Sequence, residues 1–131
     1  MSDSQDKVKV LLFVESRYKV NRKRIKATLN SFLRKQGLVG SAEVSIAIVG
    51  DRKMRMLNHK HRGIDKTTNV LSFSLVEGES THIPDKTLRL GDIIISYPQV
   101  IKEAAAEEKM VDDKVDELLM HSALHLLGVH H

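Results

Sequence analysis

Leu88-Arg89-Leu90-Gly91-Asp92-Ile93-Ile94-Ile95-Ser96-Tyr97-Pro98-Gln99 is the stretch on which the fold turns. Its β-branched run Ile93-Ile94-Ile95, within Leu88–Ser96, reads as a central strand. Ser96 with Gln99 three residues later is a capping-box pattern, and Pro98 falls in the first turn of the helix that follows. A buried strand that passes directly into a helix is the signature of a mixed α/β chain.

The same alternation continues on both sides. Lys9–Val14 is a short apolar strand. Residues 21–35 place Ile25, Leu29, Phe32 and Leu33 at helical spacing with cations between them, and Gly37 and Gly40 end that helix. Glu43–Val49 alternates, with Val44, Ile46 and Ile48 on one side. Asp51 is placed to cap a short helix carrying Met54, Leu57 and His61, which Gly63 breaks. Val70–Leu75 is a strand and residues 78–86 a polar loop. An Ala/Glu-rich helix ends near Lys109. A last helix, about Asp112–Leu127, turns Val115, Leu118, Leu119, Ser122 and Leu126 inward. The sum is one α+β (α/β-like) domain over residues 1–131, with about four strands in a mixed sheet and about four to five helices.

The chain has 131 residues, 41% hydrophobic and 29% charged, which suits one soluble domain and excludes a disordered chain, a collagen and a coiled coil. No apolar run is long enough to span a bilayer. Val10–Val14 has no small-residue cleavage site after it, so no secretory signal is expected. The absence of cysteine excludes disulfides and thiolate chemistry and suits a cytoplasmic location. The net charge of +4 is unevenly spread: residues 1–66 carry sixteen Lys/Arg against six Asp/Glu, and residues 67–131 five against eleven. A basic first half suits a polyanionic partner; solvated helix faces are the plainer reading.

The chain ends His121-Ser122-Ala123-Leu124-His125-Leu126-Leu127-Gly128-Val129-His130-His131. His121 and His125, at i and i+4, put two imidazoles on one face of the last helix. Gly128 can end the helix and turn the chain so that His131 folds back toward the same point. This is the metzincin ligand spacing, with Ser122 where those proteases carry their glutamate. Three imidazoles leave a tetrahedral Zn²⁺ one open position for water, whose pKa falls toward ~7 in such sites. A frayed terminus or purification tag at His130-His131 is the bland alternative.

On these residues the sequence resembles the YbeY family of bacterial endoribonucleases and rRNA maturation factors, marked by a terminal H-G-x-L-H-L-x-G-Y-D-H. His121, Leu124, His125, Leu126, Gly128 and His131 match it, while Ser122, Val129 and His130 depart from its Gly, Tyr and Asp. Upstream, Leu57-Asn58, Arg62-Gly63 and Thr68-Asn69-Val70-Leu71-Ser72-Phe73 match L-N-x-x-Y-R-G followed by T-[DN]-V-L-S-F. His61 stands for Tyr and Ser74 for Pro. Leu90-Gly91-Asp92-Ile93 with Ile95-Ser96 matches L-G-D-I-x-I-S. The motifs run in family order from residue 57 to 131. The resemblance implies a zincin-like metal helix at the C-terminus. It also implies an active-site role for Arg62, whose guanidinium suits a phosphate and a pentacovalent transition state.

Other polar residues carry open readings. Asp92 either orients a ligand imidazole or fixes a loop through backbone N–H groups. Asn69 and Ser72 line a cleft or serve structure. Ser122 bonds the metal water or is simply a small inward residue. Arg17, Lys19, Arg22, Lys23, Arg24 and Lys26, with Arg52, Lys53, Arg55 and Lys60, suit phosphate contacts. Only 4% of the residues are aromatic, so base stacking is limited to few planar groups, among them His59, His61 and Tyr97. His82 reads as incidental.

The expected function is a Zn²⁺-dependent, single-strand-specific endoribonuclease of rRNA maturation and ribosome quality control. His121, His125 and His131 are its metal ligands, Arg62, His121 and His125 its catalytic residues, and single-stranded rRNA and a ribosomal subunit its partners. Two other readings stand beside it: a metallopeptidase-like hydrolase, and a non-catalytic ribosome-associated RNA binder with a structural metal.

Overall fold

The computed structural model describes residues 8–75 and 87–128. Its elements run β1 (Val8–Val14), α1 (Arg22–Lys35), β2 (Ala42–Val49), α2 (Asp51–Arg62), β3 (Val70–Ser74), β4 (Leu88–Ser96), α3 (Tyr97–Ala106) and α4 (Val111–Leu126). The strands form one sheet in the order β1-β2-β4-β3. β1, β2 and β4 are parallel, and β3 joins β4 antiparallel at the edge. This is the mixed α+β domain expected, with four helices among the described residues.

Alternation along the strands assigns the two faces. Val10, Val44, Ile46, Ile48, Ile93 and Ile95 point into the main core, where Ile25, Leu29 and Leu33 of α1, Val100 of α3 and Leu119 and Leu126 of α4 close over them. Burying each such Leu or Ile contributes about 1.5–3 kcal/mol. Among the described residues, the opposite face is covered where Met54 of α2 packs on Val49 and Leu71. Next to that patch the face lies open: Phe13 is 58% and Leu11 43% exposed.

Local chemistry sets most boundaries. Asn21 caps α1 through Arg24 N–H. At its far end Gly37, at φ 96°, sits in the left-handed turn in which Gly37 N–H bonds Arg34 O and Leu38 N–H bonds Leu33 O. Gly37 is therefore the stop. Gly40 lies beyond it, where its carbonyl accepts from Arg34. Gly63 ends α2 at φ 72°, as expected. Asp51 does not cap α2. Gly50 takes that place, and Asp51 is the first helical residue. At α3 only half the capping box forms: Ser96 Oγ accepts from Gln99 N–H, but the Gln99 side chain turns instead to Asp51. α3 also stops short of Lys109, at Ala106.

Gly91 fixes the register around Asp92. β4 carries one extra residue against β2, because Glu43 pairs with Arg89 and Val44 with Gly91. The bulge reverses the alternation, so that Asp92 lies opposite Ser45 on the open face. Gly91 itself has φ 146°, and a Cβ there would meet Phe73 O at 2.1 Å and Leu126 Cδ2 at 2.9 Å. No side chain fits between β3 and α4 at this point.

Candidate active site

Arg62 is the last residue of α2, and Gly63 turns the chain immediately after it. The chain then returns along residues 68–73 into edge strand β3, against which α4 packs. A cleft of about 540 Å³ opens between these pieces. Arg62, Asn69, Ser72, His121, Ser122 and His125 all line it. Segments some sixty residues apart thus bring a guanidinium and two imidazoles to one hollow.

His121 and His125 lie one turn apart on α4, with ring centroids 4.6 Å apart and planes tilted by 55°. Leu118, Leu119, Ser122 and Leu126 anchor the helix beneath them. Ser122 is 1% exposed, and its Oγ has no hydrogen-bond partner among the described residues. It is the small inward residue expected. Two adjacent imidazoles above an unpaired hydroxyl fit a divalent ion with nitrogen ligands. Among the described residues they supply two donors, and no group of three His, Cys, Asp or Glu is assembled. His131, the expected third ligand, and His130 lie outside the described residues, as does His82.

Arg62 is exposed and has no acidic partner among the described residues. Asn69 lines the cleft but is tied down, its amide donating to Glu103 Oε1 at 3.1 Å while its backbone carbonyl accepts from Ser96 N–H. Ser72 lines the cleft from β3. Among the described residues Asp92 shows neither role expected of it. It lies outside this cleft, and no described residue hydrogen-bonds or pairs with its carboxylate.

The basic runs divide in two. Arg24 is committed to α4: its Nε donates to Asp116 at 2.9 Å and its Nη2 to Asp113 at 2.6 Å, and these hydrogen bonds raise its pKa. Arg55 forks onto Asp65 at 2.8 and 3.1 Å, which lowers the Asp65 pKa. Tyr97 stacks on Tyr18 at 4.9 Å and donates to Lys19 O, so it is not a planar group of the cleft. Arg52, Lys53 and Lys60 remain exposed on the outer side of α2, the helix that leads to Arg62.

A family profile described as "Endoribonuclease YbeY" matches residues 10–131. The chain belongs to the YbeY endoribonuclease family. A YbeY endoribonuclease of Dehalococcoides mccartyi is 35% identical over 116 residues, covering 82% of this chain and 67% of that protein. One of Nitrobacter hamburgensis is 43% identical over 93 residues, 70% of this chain and 49% of that protein. The solution structure of a Thermotoga maritima protein matches with a TM-score of 0.60 at 23% identity, over 95% of this chain and 74% of that one, a likeness of fold. YbeY membership supports an endoribonuclease, hence hydrolase, role.

Two features were not foreseen from the sequence. Lys114 is buried among Glu103, Glu107 and Glu117 behind the site. Its signal was present: Val111, Lys114 and Leu118 share the inner stripe of α4 at helical spacing. The second is the pairing of His61 with Phe73, ring centroids 4.9 Å apart, beside the cleft. The packing of α2 on the open face of the sheet brings those two together.

Proposed function

We propose that residues 1–131 form a single metal-dependent endoribonuclease domain that cuts single-stranded RNA, acting on ribosomal RNA during its maturation and in ribosome quality control. His121, His125 and His131 hold one divalent ion, for which three imidazoles suit Zn²⁺. The convergence of Arg62 with His121 and His125 in one cleft carries this reading. Such an ion acidifies a water and polarises a phosphoryl oxygen.

The residues of the chain do the rest. Arg62 offers paired N–H donors to the non-bridging oxygens of the scissile phosphate. Charge builds on those oxygens as the phosphorus becomes five-coordinate, so the contact strengthens in the transition state. The exposed Arg52, Lys53 and Lys60 bind flanking phosphates without reading sequence. Ser72 and Asn69 shape the wall opposite the imidazoles. The missing cysteines agree with a cytoplasmic setting, and no described helix is long and apolar enough to cross a membrane. No Asp or Glu lines the cleft, so the general base of a metallopeptidase is absent among the described residues.

The test is cleavage of single-stranded rRNA fragments by tag-free protein of measured metal content. Chelation or His125→Ala should abolish cutting while the fold survives, and re-adding the metal should restore the wild type alone. Ends carrying a 2′,3′-cyclic phosphate assign the attack to the ribose hydroxyl; a 3′-hydroxyl paired with a 5′-phosphate assigns it to water. Metal-independent cleavage by the His125→Ala protein would discard the proposal. Unfolding on chelation would make the metal structural instead.

A further inference from the structure

On the open face of the sheet, the cross-strand row Leu11, Ser45, Asp92 and Phe73 lies beside the row Phe13, Ala47, Ile94 and Leu71. His61 of α2 closes one end, stacked on Phe73. All of these but the buried Leu71 line a hollow of about 810 Å³, larger than the cleft that holds the imidazoles. Among the described residues Asp92 is the one acidic side chain in its lining, and none of them satisfies that carboxylate. Asp92 is half-buried there, so both carboxylate oxygens are open to hydrogen bonds from a ligand.

Phe73 lines both hollows. On α2 the consecutive residues His61 and Arg62 divide between them, His61 to the apolar one and Arg62 to the other. A strand of RNA whose phosphate sits on Arg62 therefore has its neighbouring nucleotide within reach of the Phe73 and His61 rings. Lys53 and Lys60, exposed on the same helix as His61 and Arg62, add positive charge to the element that both hollows share. Single-stranded RNA is read in this way, by splayed bases stacked on aromatic or imidazole rings and bonded along their edges.

We infer that this hollow is a nucleobase subsite, in which Phe73 and His61 stack the base next to the scissile phosphate and Asp92 selects guanine. Guanine is the base whose Watson–Crick edge presents two adjacent N–H donors, N1–H and the N2 amino group. A carboxylate accepts both in a bidentate, charge-assisted pair. Adenine and cytosine offer one exocyclic donor each beside an acceptor that repels Asp92, and uracil offers only its ring N–H. Leu90 and Ile93 both point into the core, and the bulge at Gly91 lets them do so with Asp92 on the open face. The inference rests on the proposed nuclease reading for its placement beside the scissile bond, but not for binding itself.

Two arms of one experiment test it. In the first, the full chain is titrated with 5′-GMP, 5′-IMP and 5′-CMP and followed by NMR at the methyl groups of Leu11, Ala47 and Ile94, with no metal or turnover needed. GMP should shift these signals at a concentration about tenfold lower than IMP, which lacks the N2 amino group. Asp92→Asn should bring the two ligands level, with an unchanged melting temperature. In the second arm, oligoribonucleotides carrying one guanine, or inosine in its place, are cleaved. The wild type should prefer guanine by about tenfold and Asp92→Asn should not. Equal shifts by all three nucleotides, shifts confined to α2, or a purified ribosomal protein that moves the methyl signals while no nucleotide does would overturn the subsite. Metal-dependent cleavage without base preference would remove the subsite and leave the nuclease. Guanine-selective binding in a protein that never cuts RNA would do the reverse.

Discussion

Asp51 Oδ1 accepts a hydrogen bond from Ser96 Oγ at 2.8 Å, tying the start of α2 to the start of α3 across the ends of β2 and β4. Thr67 Oγ1 donates to the same oxygen at 2.8 Å, and Gln99 Nε2 reaches both oxygens at 3.1 and 3.2 Å. One carboxylate therefore holds the loop before β3 and two helix starts, which sets the angle at which α2 delivers Arg62 to the cleft. Burial pushes the Asp51 pKa up, but the hydrogen bonds from Thr67, Ser96 and Gln99 outweigh it and the net shift is downward.

Replacing Asp51 with Ala should destabilise the domain by about 2–3 kcal/mol, since it strands the buried Ser96 hydroxyl as well as losing the bonds. Asp51→Asn isolates the charge. A carboxyl whose folded pKa is depressed stabilises above its unfolded value, near 3.8, and that contribution disappears as pH falls through the folded value. Urea midpoints from pH 7 down to 2.5 should show a constant gap between wild type and Asp51→Asn above about pH 5 and a closing gap in acid. A gap that widens in acid would contradict the assignment.

Lys114 gives the opposite pH signature. Its side chain is 5% exposed and its Nζ bonds Glu107 at 3.0 and 3.1 Å and Glu117 at 3.0 Å, with Glu103 at 3.5 Å. Lys109 adds a second cation, paired with Glu117 and Glu107. Burial works to lower the Lys114 pKa, and the bonds to Glu107 and Glu117 overcome it, so the net shift is upward. Lys114→Ala would leave three carboxylates facing one another, at a cost of about 2–3 kcal/mol; their partial exposure keeps it from going higher. A raised amine pKa stabilises fully below the unfolded value of 10.5 and is lost as pH rises through the folded value. Denaturation midpoints of the two proteins should differ by a constant amount from pH 6 to 10 and converge only above that.

How far the sequence reached depends on what each residue's role requires. The Leu88–Ser96 strand, the Gly37 and Gly63 stops and the inward stripe of α4 are local, and period or backbone freedom reveals them. The His121–His125 pair is local too, since an i, i+4 spacing on one helix needs no tertiary knowledge. A carboxylate at a helix start commonly caps it, as the sequence suggests for Asp51, and only the fold brings Ser96 and Gln99 to that carboxylate instead. Arg24 was read as a phosphate contact because Asp113 and Asp116 are distant in the chain and reach it only through the packing of α1 on α4. Asp92 is ambiguous in the sequence, since alternation from Leu90 turns it inward and alternation from Ile93 outward, and only the bulge at Gly91 reconciles the two.

Gly91→Ala tests that bulge. The added methyl would lie 2.1 Å from Phe73 O, and φ 146° is strained for an L-residue besides. Neither β3 nor Leu126 can yield without disturbing the edge of the sheet or the helix that carries the imidazoles. A loss of at least about 3 kcal/mol is expected, read as a lowered urea midpoint with unchanged m-value. Gly128→Ala is a contrast: among the described residues a Cβ there meets nothing within 4 Å, so the left-handed backbone at φ 88° is what opposes it, at about 1–2 kcal/mol.

Arg62 separates phosphate clamping from simple charge. It is exposed at a helix end and unpaired among the described residues, so Arg62→Ala and Arg62→Lys should each leave the melting temperature within about a degree or two. Their kinetics should diverge from their stability. If the guanidinium grips the phosphate most tightly in the transition state, Arg62→Ala lowers kcat by about 10²–10³ with little change in KM. Lysine restores the charge but not the paired donors and should recover only part of that loss. A variant that raises KM alone, with kcat intact, would instead make Arg62 one more backbone contact like Lys53 and Lys60. Single-turnover cleavage at saturating RNA, compared with the KM from a concentration series, distinguishes the two.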